Sequence, residues 1–413
     1  MMKILHLSAA SELTGAGKAT LLTHNALLKA RVQSKVLFLK SDLNAREVFS
    51  YHKLGCFLKM KRQIITLLER FPVYFYPNRS KSIFSTGLAG LKLKNNPFIK
   101  WADVIHIHWA NHGYIDIAEI KKWNKPVVWT LRDMWAFTGG CHYAFDCENF
   151  KKSCGNCPVL GSSREKDLSR FVLQSKLKHI QHLNINWIAI SSWMQKEANE
   201  SALLKDKFVA VVHSGVDASI FCISDKEEIR TKLKLPLNKA IILLGADSIR
   251  ERYKGFEYAK GVLNKMKADY LVVTFGNNSF HEGEIPQQTI HFGQLDYEQL
   301  CELYNAADVF LGPSIAEAMG KTFLEAQLCG LPVVCFAETG PADIVNHKET
   351  GYLAKYKDVD DLLHGLEFCL NTKMDRRAIS SRATELFDIT QIVKAYIAIY
   401  EKSIVDWANS STK

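Results

Sequence analysis

The sequence has no long apolar segment and no recognisable secretory leader. Within its 413 residues, no uninterrupted apolar run reaches the roughly 18 residues that a membrane-spanning helix needs. Residues 1–8 have the character of a short buried strand. They are followed by Ser11, Glu12 and a glycine loop instead of a signal-peptide core and small-residue cleavage site. We therefore expect a cytoplasmic protein without a transmembrane span.

Low-complexity tracts and short-period repeats are also missing, which excludes collagen-like, solenoid and disordered chains. Hydrophobic residues make up 47% of the chain and charged residues 23%, as in ordinary globular proteins. A chain of this length can bury two hydrophobic cores.

Acidic residues are scarce in the first 100 positions, where 4 Asp and Glu face 17 Lys and Arg, although the whole chain carries a net charge of only +10. One basic segment there has apolar residues at helical spacing: the apolar positions are Leu54, Phe57, Leu58, Ile64, Ile65 and Leu68, and the basic ones are Lys53, Lys59, Lys61, Arg62 and Arg70. Such a basic amphipathic helix suits an anionic membrane surface. A helix whose apolar face packs on the core and whose basic face is solvated fits the same pattern. A nucleic-acid partner is not expected, because no binding module or basic-aromatic repeat is present.

Apolar, strand-like runs alternate with helical patterns through most of the chain. Strands are predicted at residues 3–8, 35–40, 104–108, 127–131, 187–191 and 209–212, and again at 241–245, 271–275, 291–293, 309–311 and 333–336. This alternation predicts an α/β fold with parallel, doubly wound sheets. Because the pattern restarts after Asp217, we expect two Rossmann-like domains, residues 1–218 and 219–390.

The stretch 308–343 has the strongest functional pattern. A strand ends before Pro313, a helix-compatible run extends to Leu328, and a second strand follows. Glu317 precedes the helix and Glu325 lies inside it, so both carboxylates share one side if the helix begins close to Glu317. Amides around Met319 at the positive helix end suit a phosphate group. Two solvated glutamates on an amphipathic helix would give the same local sequence.

This acidic pair, with the strand sequence Cys-Gly-Leu-Pro-Val-Val that follows it, resembles the E-x7-E signature of retaining family 4 glycosyltransferases. The cysteine-rich stretch described below narrows the resemblance to exopolysaccharide and colanic-acid-type enzymes. The resemblance implies the GT-B architecture, in which two Rossmann-like domains face a cleft and the C-terminal helix, here 391–413, crosses back to the first domain. It also implies transfer of a sugar from a nucleotide-diphosphate donor to a glycan or lipid-linked acceptor, without a catalytic metal cofactor.

The same resemblance assigns the donor-binding residues. Glu325 would hold the ribose hydroxyls and Glu317 the hydroxyls of the donor sugar. The amides near Met319, Gly320 and Lys321 would bind the phosphates.

Lys254 matches the family lysine that neutralises the diphosphate, and we expect it to act in catalysis. Asp247 or one of its neighbours stands where the family has an arginine. Either Arg250 or Arg252 substitutes for that arginine, or one cation suffices.

The first domain matches the family less well. Gly15 and Gly17 resemble its glycine-rich loop, which lies near the donor diphosphate, but they fit neither the Walker A nor the Rossmann spacing, and a plain tight turn explains them too. Arg132 stands where the family has a histidine that points at the donor sugar. Arginine is always charged and cannot act as a titrating base, although it can bind a hydroxyl or phosphate oxygen.

Four cysteines fall as C-x5-C-x6-C-x2-C: Cys141, Cys147, Cys154 and Cys157. They lie in a segment, about 139–160, that resembles an insertion of some exopolysaccharide transferases. In a cytoplasmic protein such density favours a closed structural zinc site, while free thiols or disulfides are the alternatives. Three further candidates, His106, His108 and His112, suit packing or cleft lining as well as metal ligation.

Two other function classes fit the sequence. A GT-B sugar-nucleotide epimerase would consume its donor without an acceptor. A non-catalytic nucleotide-sugar-binding or scaffold protein would accommodate the departures at Arg132 and in the loop 245–254.

Overall fold

The computed structural model describes residues 1–51, 56–266 and 269–411. Its chain contacts divide into two compact units. Unit 1 comprises Met1–His213 and Ile392–Lys413, and unit 2 comprises Ser214–Gln391. In the described part of the chain, no helix has the length and hydropathy needed to cross a bilayer.

Unit 1 contains a seven-stranded sheet with the order β3-β2-β1-β4-β5-β6-β7, in which every pair of neighbours is parallel. The strands are β1 (Lys3–Ser8), β2 (Gln33–Phe38), β3 (Val48–Ser50), β4 (Val104–Trp109), β5 (Val127–Leu131), β6 (Ile185–Ala189) and β7 (Val209–Val211). The central strands are buried along almost their whole length, as expected when helices cover both faces of a parallel sheet.

The helices of unit 1 are α1 (Gly15–Lys29), α2 (Cys56–Arg70), α3 (Pro97–Trp101), α4 (Leu168–Ile180) and α5 (Ser192–Glu200), together with most of the C-terminal helix α12 (Ile389–Ser411). Residues from Ile392 onward make α12 part of unit 1, where Tyr396 and Tyr400 are fully buried. In the predicted basic helix, Lys53 and Leu54 lie outside the described residues, as do the side chains of Phe57, Leu58, Lys59 and Lys61.

Unit 2 contains a six-stranded parallel sheet with the order β10-β9-β8-β11-β12-β13. Its strands are β8 (Ile241–Gly245), β9 (Leu271–Phe275), β10 (Gln288–His291), β11 (Val309–Gly312), β12 (Val333–Phe336) and β13 (Gly351–Ala354). Its helices are α6 (Lys226–Lys232), α7 (Phe256–Lys265), α8 (Tyr297–Ala306), α9 (Lys321–Leu328), α10 (Val359–Asn371) and α11 (Arg376–Phe387).

The predicted fold class is confirmed, since both units are α/β with parallel sheets. Strands β3 and β13 were not predicted, because three or four residues are too few to show a strand period. Each sheet reverses its strand order once, between β1 and β4 in unit 1 and between β8 and β11 in unit 2. In doubly wound sheets ligands bind outside the carboxyl ends of the strands at such a reversal. The loops that follow Gly245 and Gly312 are therefore the first place to look for a site in unit 2.

The glycine loop of unit 1 is helical from Gly15 onward, and the hydroxyl of its N-cap residue Thr14 accepts the Gly17 amide at 3.2 Å. The two glycines differ in their surroundings. A Cβ atom on Gly17 would lie 1.8 Å from the Ser11 carbonyl oxygen, whereas one on Gly15 would meet nothing within 4 Å. Gly17 is thus required for close packing of the backbone, and Gly15 leaves open space at the start of the helix.

We expect Gly17→Ala to destabilise unit 1 by about 1–3 kcal/mol, the usual cost of overpacking, while the matched change Gly15→Ala stays near neutral. All eight tryptophans belong to unit 1, so intrinsic fluorescence during urea unfolding follows this unit alone. Equal urea midpoints for the two variants would contradict the packing role of Gly17.

Candidate functional site

The acidic stretch of unit 2 lies at the predicted edge of the sheet but differs from the expected helix. Helix α9 begins at Lys321, after Gly320 adopts a left-handed conformation with φ +85°. Glu317 therefore lies four residues before the helix, and the expectation that both glutamates share one helical face does not hold. Glu325 is in the second turn, and each carboxylate is positioned by its own contacts.

Neighbouring loops hold the segment that carries Glu317. The amides of Ile315 and Ala316 donate to the Tyr253 carbonyl oxygen at 2.8 and 3.3 Å, and the Gly340 amide donates to the Glu317 carbonyl oxygen at 2.8 Å. The hydroxyl of Tyr356 donates to the Ile315 carbonyl oxygen at 2.8 Å. The loops after β8, β11 and β12 thus converge at this edge of the sheet.

A buried ion pair links two of these loops. The Nζ atom of Lys254 lies 2.5 Å from Oε2 of Glu317, whose residue is only 9% exposed. Burial alone would lower the pKa of Lys254, but the neighbouring Glu317 carboxylate and Tyr253 raise it above its usual value. The lysine therefore stays charged at neutral pH. The approach depends on Gly255, where a Cβ atom would lie 1.8 Å from the Pro313 carbonyl oxygen.

The second glutamate is more deeply buried. The hydroxyl of Tyr304 donates to Oε2 of Glu325 at 3.1 Å, and Nζ of Lys321 lies 3.9 Å from Oε1. Burial and then the Glu325 charge raise the pKa of Tyr304 well above its usual value, and the same two causes raise the pKa of Tyr297 to about 12. A carboxylate has about four acceptor directions, so the Tyr304 bond does not exhaust the capacity of Glu325.

The two candidate arginines are placed differently from Lys254. Nη2 of Arg250 lies 2.5 Å from the Glu284 carboxylate and 3.0 Å from the Ser279 carbonyl oxygen, and its guanidinium lies 4.5 Å from the centre of the Phe256 ring. Arg252 is exposed. Arg250 is thus held by residues of the loop that follows β9, while Lys254 contacts an acidic residue of the 308–343 stretch.

A cavity of about 30 Å³ lies at the carboxyl ends of β8 and β11, where the strand order reverses. Its polar and glycine lining includes Gly245, Lys254, Gly312, Ser314 and Thr322. The first amides of α9 point away from the helix without an intrahelical acceptor, on the positive end of its dipole. The candidate donor site therefore combines a partly buried cation, two carboxylates and a helix N-terminus.

In unit 1, a chain of buried histidines occupies the reversal point between β1 and β4. His6 Nδ1 lies 2.8 Å from His108 Nε2, and Arg132 Nη2 lies 3.0 Å from His108 Nδ1. A guanidinium only donates, so His108 accepts at Nδ1 and donates from Nε2 to His6. His6 then carries its proton on Nε2, which has no hydrogen-bond partner among the described residues.

The third histidine, His106, bonds to Tyr400 and to Thr130, each at 2.7 Å. In the described part of the chain, His6, His106 and His108 form the one group of three or more potential metal-binding side chains whose ligand atoms all lie within 4.8 Å of one another. Burial lowers the pKa of all three and keeps them neutral. Hydrogen bonds already occupy Nδ1 of His6 and both ring nitrogens of His106 and His108. Because Arg132 also adds a positive charge, the arrangement favours packing over metal ligation.

Arg132 also lines a cavity of about 10 Å³ at the carboxyl ends of β4 and β5. The next residue, Asp133, contacts His142 at 2.9 Å and the Trp109 indole at 2.5 Å. His142 belongs to the cysteine-rich segment, and its Nε2 lies 3.2 Å from the Ser85 hydroxyl. This link between Asp133 and the cysteine-rich segment had no signal in the sequence. His112 is not part of the group formed by His6, His106 and His108, and its ring contacts the ring of Trp109.

Residues 225–386 match the family model described as "Glycosyl transferases group 1". This range contains both glutamates, Lys254 and the whole candidate donor site. Among curated proteins, the chain is similar to D-inositol 3-phosphate glycosyltransferases. The protein from Mycobacterium sp. (strain KMS) is 26% identical over 325 residues, which cover 71% of this chain and 68% of the relative.

Two solved structures share the whole fold. Sucrose-phosphate synthase (tll1590) from Thermosynechococcus elongatus has a TM-score of 0.66 at 17% identity, covering 98% of this chain and 100% of that one. Anabaena Alr3699/HepE, in complex with UDP and glucose, has a TM-score of 0.66 at 16% identity, covering 97% and 100%. The chain thus has the fold of GT-B glycosyltransferases, and residues 225–386 of its second unit match the glycosyl transferases group 1 model.

Proposed function

We propose that this protein transfers a sugar from a nucleotide-diphosphate donor to a hydroxyl group of a glycan or lipid-linked acceptor, with retention, in the synthesis of a surface or extracellular polysaccharide. The observation that carries the proposal is the buried Lys254–Glu317 pair, which lies at the strand-order reversal of a domain that matches the group 1 family. A similar fold that is described in complex with UDP and glucose supports a nucleotide-sugar donor.

In this proposal the nucleotide is held by Glu325 and the start of α9. The carboxylate of Glu325 accepts hydrogen bonds from the ribose hydroxyls, with Tyr304 and Lys321 fixing its position. The amides near Met319, Gly320 and Lys321 receive the diphosphate, as helix N-termini do for other anions.

In this proposal the donor sugar and the leaving diphosphate both bind beside the Lys254–Glu317 ion pair. Glu317 accepts hydroxyls of the donor sugar, and Lys254 holds that carboxylate while it faces the diphosphate. Because negative charge grows on the leaving phosphate in the transition state, a fixed cation stabilises the transition state more than the ground state.

Retention requires no covalent intermediate on the protein here. The acceptor hydroxyl attacks the anomeric carbon from the face that the phosphate leaves, and the leaving phosphate oxygen takes its proton. Arg132, which cannot be a base, binds a hydroxyl or phosphate oxygen. With charge neutralised by side chains and helix amides, we propose that catalysis needs no metal ion.

The direct test is turnover of labelled nucleotide sugars by the purified protein, with a lipid-linked or oligosaccharide acceptor and EDTA in the assay. We expect transfer with retained anomeric configuration. Donor consumption that is independent of any acceptor would indicate an epimerase instead. Loss of transfer in EDTA, with the fold and the bound zinc content unchanged, would refute metal-free catalysis.

Replacing the cation tests the catalytic step. We expect Lys254→Ala to lower kcat by about 100-fold or more, the usual effect of removing one transition-state hydrogen-bond donor. Lys232→Ala is the matched control, because Lys232 pairs with Glu302 at 2.5 Å on the exposed surface of the same unit. A kcat for Lys254→Ala equal to that of the control would exclude the proposed role.

Replacing the second glutamate tests nucleotide binding. Glu325→Gln keeps the shape of the side chain and removes its charge, and a hydrogen bond to a charged group is worth about 1.5–3 kcal/mol. We expect calorimetry to show at least a tenfold weaker affinity for the nucleoside diphosphate, with the thermal stability of unit 2 retained. Glu302→Gln is the control, at a partly buried glutamate that pairs with Lys232. Unchanged affinity in Glu325→Gln would contradict ribose binding by this residue.

We also propose that unit 1 rests on an anionic membrane surface. The end of α2 and the following turn expose seven large apolar side chains, each more than half accessible, which we name the apolar patch: Met60, Ile64, Leu67, Leu68, Phe71, Tyr74 and Phe75. Contiguous exposed apolar surface of this kind typically marks a site of interaction. Ile65 faces inward and anchors the helix.

The charges around the apolar patch favour a lipid surface. Arg70 and Arg79 are exposed beside it, and the guanidinium of Arg79 lies 5.6 Å from the Tyr74 ring centre. The one acidic residue among residues 48–100, Glu69, is buried and accepts the amides of Thr86 and Gly87. Apolar side chains rimmed by positive charge suit the interface of an anionic bilayer.

Co-sedimentation with vesicles tests this surface. We expect binding to phosphatidylcholine vesicles that contain phosphatidylglycerol, weaker binding at high salt, and little binding to phosphatidylcholine alone. The double change Leu67→Glu and Phe75→Glu should weaken binding at least tenfold, since burial of one large apolar side chain is worth about 1.5–3 kcal/mol. Phe208→Glu, at an 82% exposed site elsewhere in unit 1, is the control. Equal binding by both variants would refute the assignment.

A further inference from the structure

The cysteine-rich segment brings its four cysteines to one place. Cys141, Cys147, Cys154 and Cys157 all line a single cavity of about 10 Å³, close to the smallest volume that holds one water molecule. All four are free thiols. The rest of the lining is mainly apolar or glycine, with Phe84 and Phe150 among it. The cavity therefore has the size of one small ion and sulfur as its principal donor atom.

The pair Cys154 and Cys157 sits on a tight turn that directs both thiols inward. Three successive residues, Cys154, Gly155 and Asn156, have positive φ angles of +53°, +98° and +46°. Burial raises the pKa of both thiols, and the nearby backbone amides of Val159 and Leu160 at Cys157, and of Gly139 at Cys154, oppose that rise. Such donors stabilise negative charge on sulfur. The turn thus directs two adjacent thiols into the same cavity.

The start of α4 fixes this turn. Oδ2 of Asp167 accepts the Cys157 amide at 2.9 Å, and its Oδ1 accepts the Ser169 amide at 2.9 Å. The Ser169 hydroxyl in turn accepts the Gly155 amide at 3.0 Å. A Cβ atom on Gly155 would lie 2.0 Å from the Glu165 carbonyl oxygen, so glycine is required there. The turn is therefore built by residues that are not themselves ligands, as in sites with an ordered outer shell.

A buried lysine lies beside the thiols. Lys176 of α4 is fully buried and donates to the carbonyl oxygens of Trp135 and Thr138, the latter at 2.9 Å. It lies close enough to Cys141 and Cys154 to interact with them electrostatically. Four thiolates around a divalent ion leave two net negative charges. A lysine beside the sulfurs would offset part of that charge when protonated.

We propose that Cys141, Cys147, Cys154 and Cys157 bind one zinc ion in a closed, four-sulfur structural site. Binding converts four thiols to thiolates, releases four protons to solvent and forms four zinc–sulfur bonds, with no change of oxidation state. Tetrahedral zinc takes four cysteine ligands with no position left for substrate. In the described chain the one group of potential ligand atoms already within 4.8 Å is that of His6, His106 and His108, so zinc binding requires the four sulfur atoms to move closer together.

The proposed zinc site supports the candidate chemistry of unit 1 through His142. This residue follows the first cysteine, and its contact with Asp133 holds the loop that carries Arg132. The ion therefore fixes the register of the cysteine-rich segment against the carboxyl end of β5. It acts on position and takes no part in sugar transfer, so the site stands or falls independently of the proposed function.

The experiment measures zinc per chain in protein produced with zinc and without chelators. We expect one equivalent in the wild type, and none in the variant Cys154→Ser/Cys157→Ser. The control Cys222→Ser, an exposed cysteine of unit 2, should keep its zinc. Retention of one zinc ion by the double variant would overturn the proposal and direct attention to the histidine trio.

Two measurements on the wild-type protein test the site even if the double variant does not fold. Replacement of zinc by cobalt(II) should give the intense sulfur-to-metal charge-transfer absorption and the visible bands of a tetrahedral thiolate site. Alkylation followed by mass spectrometry should show Cys141, Cys147, Cys154 and Cys157 protected until a strong chelator is added. Disulfides between these cysteines, or free alkylation of all four in zinc-loaded protein, would refute the site.

Discussion

The ion pair between Lys254 and Glu317 is the contact on which the arrangement of unit 2 depends. It joins the loop after β8 to the loop after β11, at the point where the strand order reverses. A partly buried pair of charges is stabilising only when both partners are present, because either one alone would be a desolvated charge. The same cation that stabilises the loops is therefore already in place for a negatively charged ligand, without reorganisation of the backbone.

Small residues make that proximity feasible. Gly255 lets its loop approach the Pro313 carbonyl group, and Gly320 turns the chain so that α9 starts at Lys321. Each occupies a left-handed conformation that other residues adopt at a cost. Function in this unit is thus supported by backbone geometry at two glycines as much as by the charged side chains that contact a substrate.

The sequence predicts those elements that repeat a period over many residues. The long apolar strands and their alternation with helices indicate parallel sheets, and all eleven predicted strands have a counterpart in the structure. Short strands such as β13 cannot be predicted in this way, because their few residues show no clear hydrophobic period. Glu317 precedes the helix as predicted, but α9 begins only at Lys321, after a left-handed Gly320 that packs closely against Phe323 and Pro341 and has no local signal in the sequence. The spacing of the four cysteines predicted a cluster, which the structure places around one cavity.

By contrast, the hydrogen-bonded series from Arg132 through His108 to His6 includes residues about a hundred positions apart in the sequence, and no local pattern predicts it.

The path of the chain has a consequence for the order in which the protein folds. Unit 2 is one continuous segment, whereas unit 1 needs α12, whose Tyr400 bonds to His106 and whose Ser403 accepts from Asn186. During synthesis the N-terminal part of a protein ordinarily folds first. Here the first 213 residues cannot complete their core until the whole of unit 2 has been translated and α12 has been synthesised. Until then, part of their core surface stays uncovered. Unit 1 is thus the part of the nascent chain whose core surface stays exposed to solvent longest.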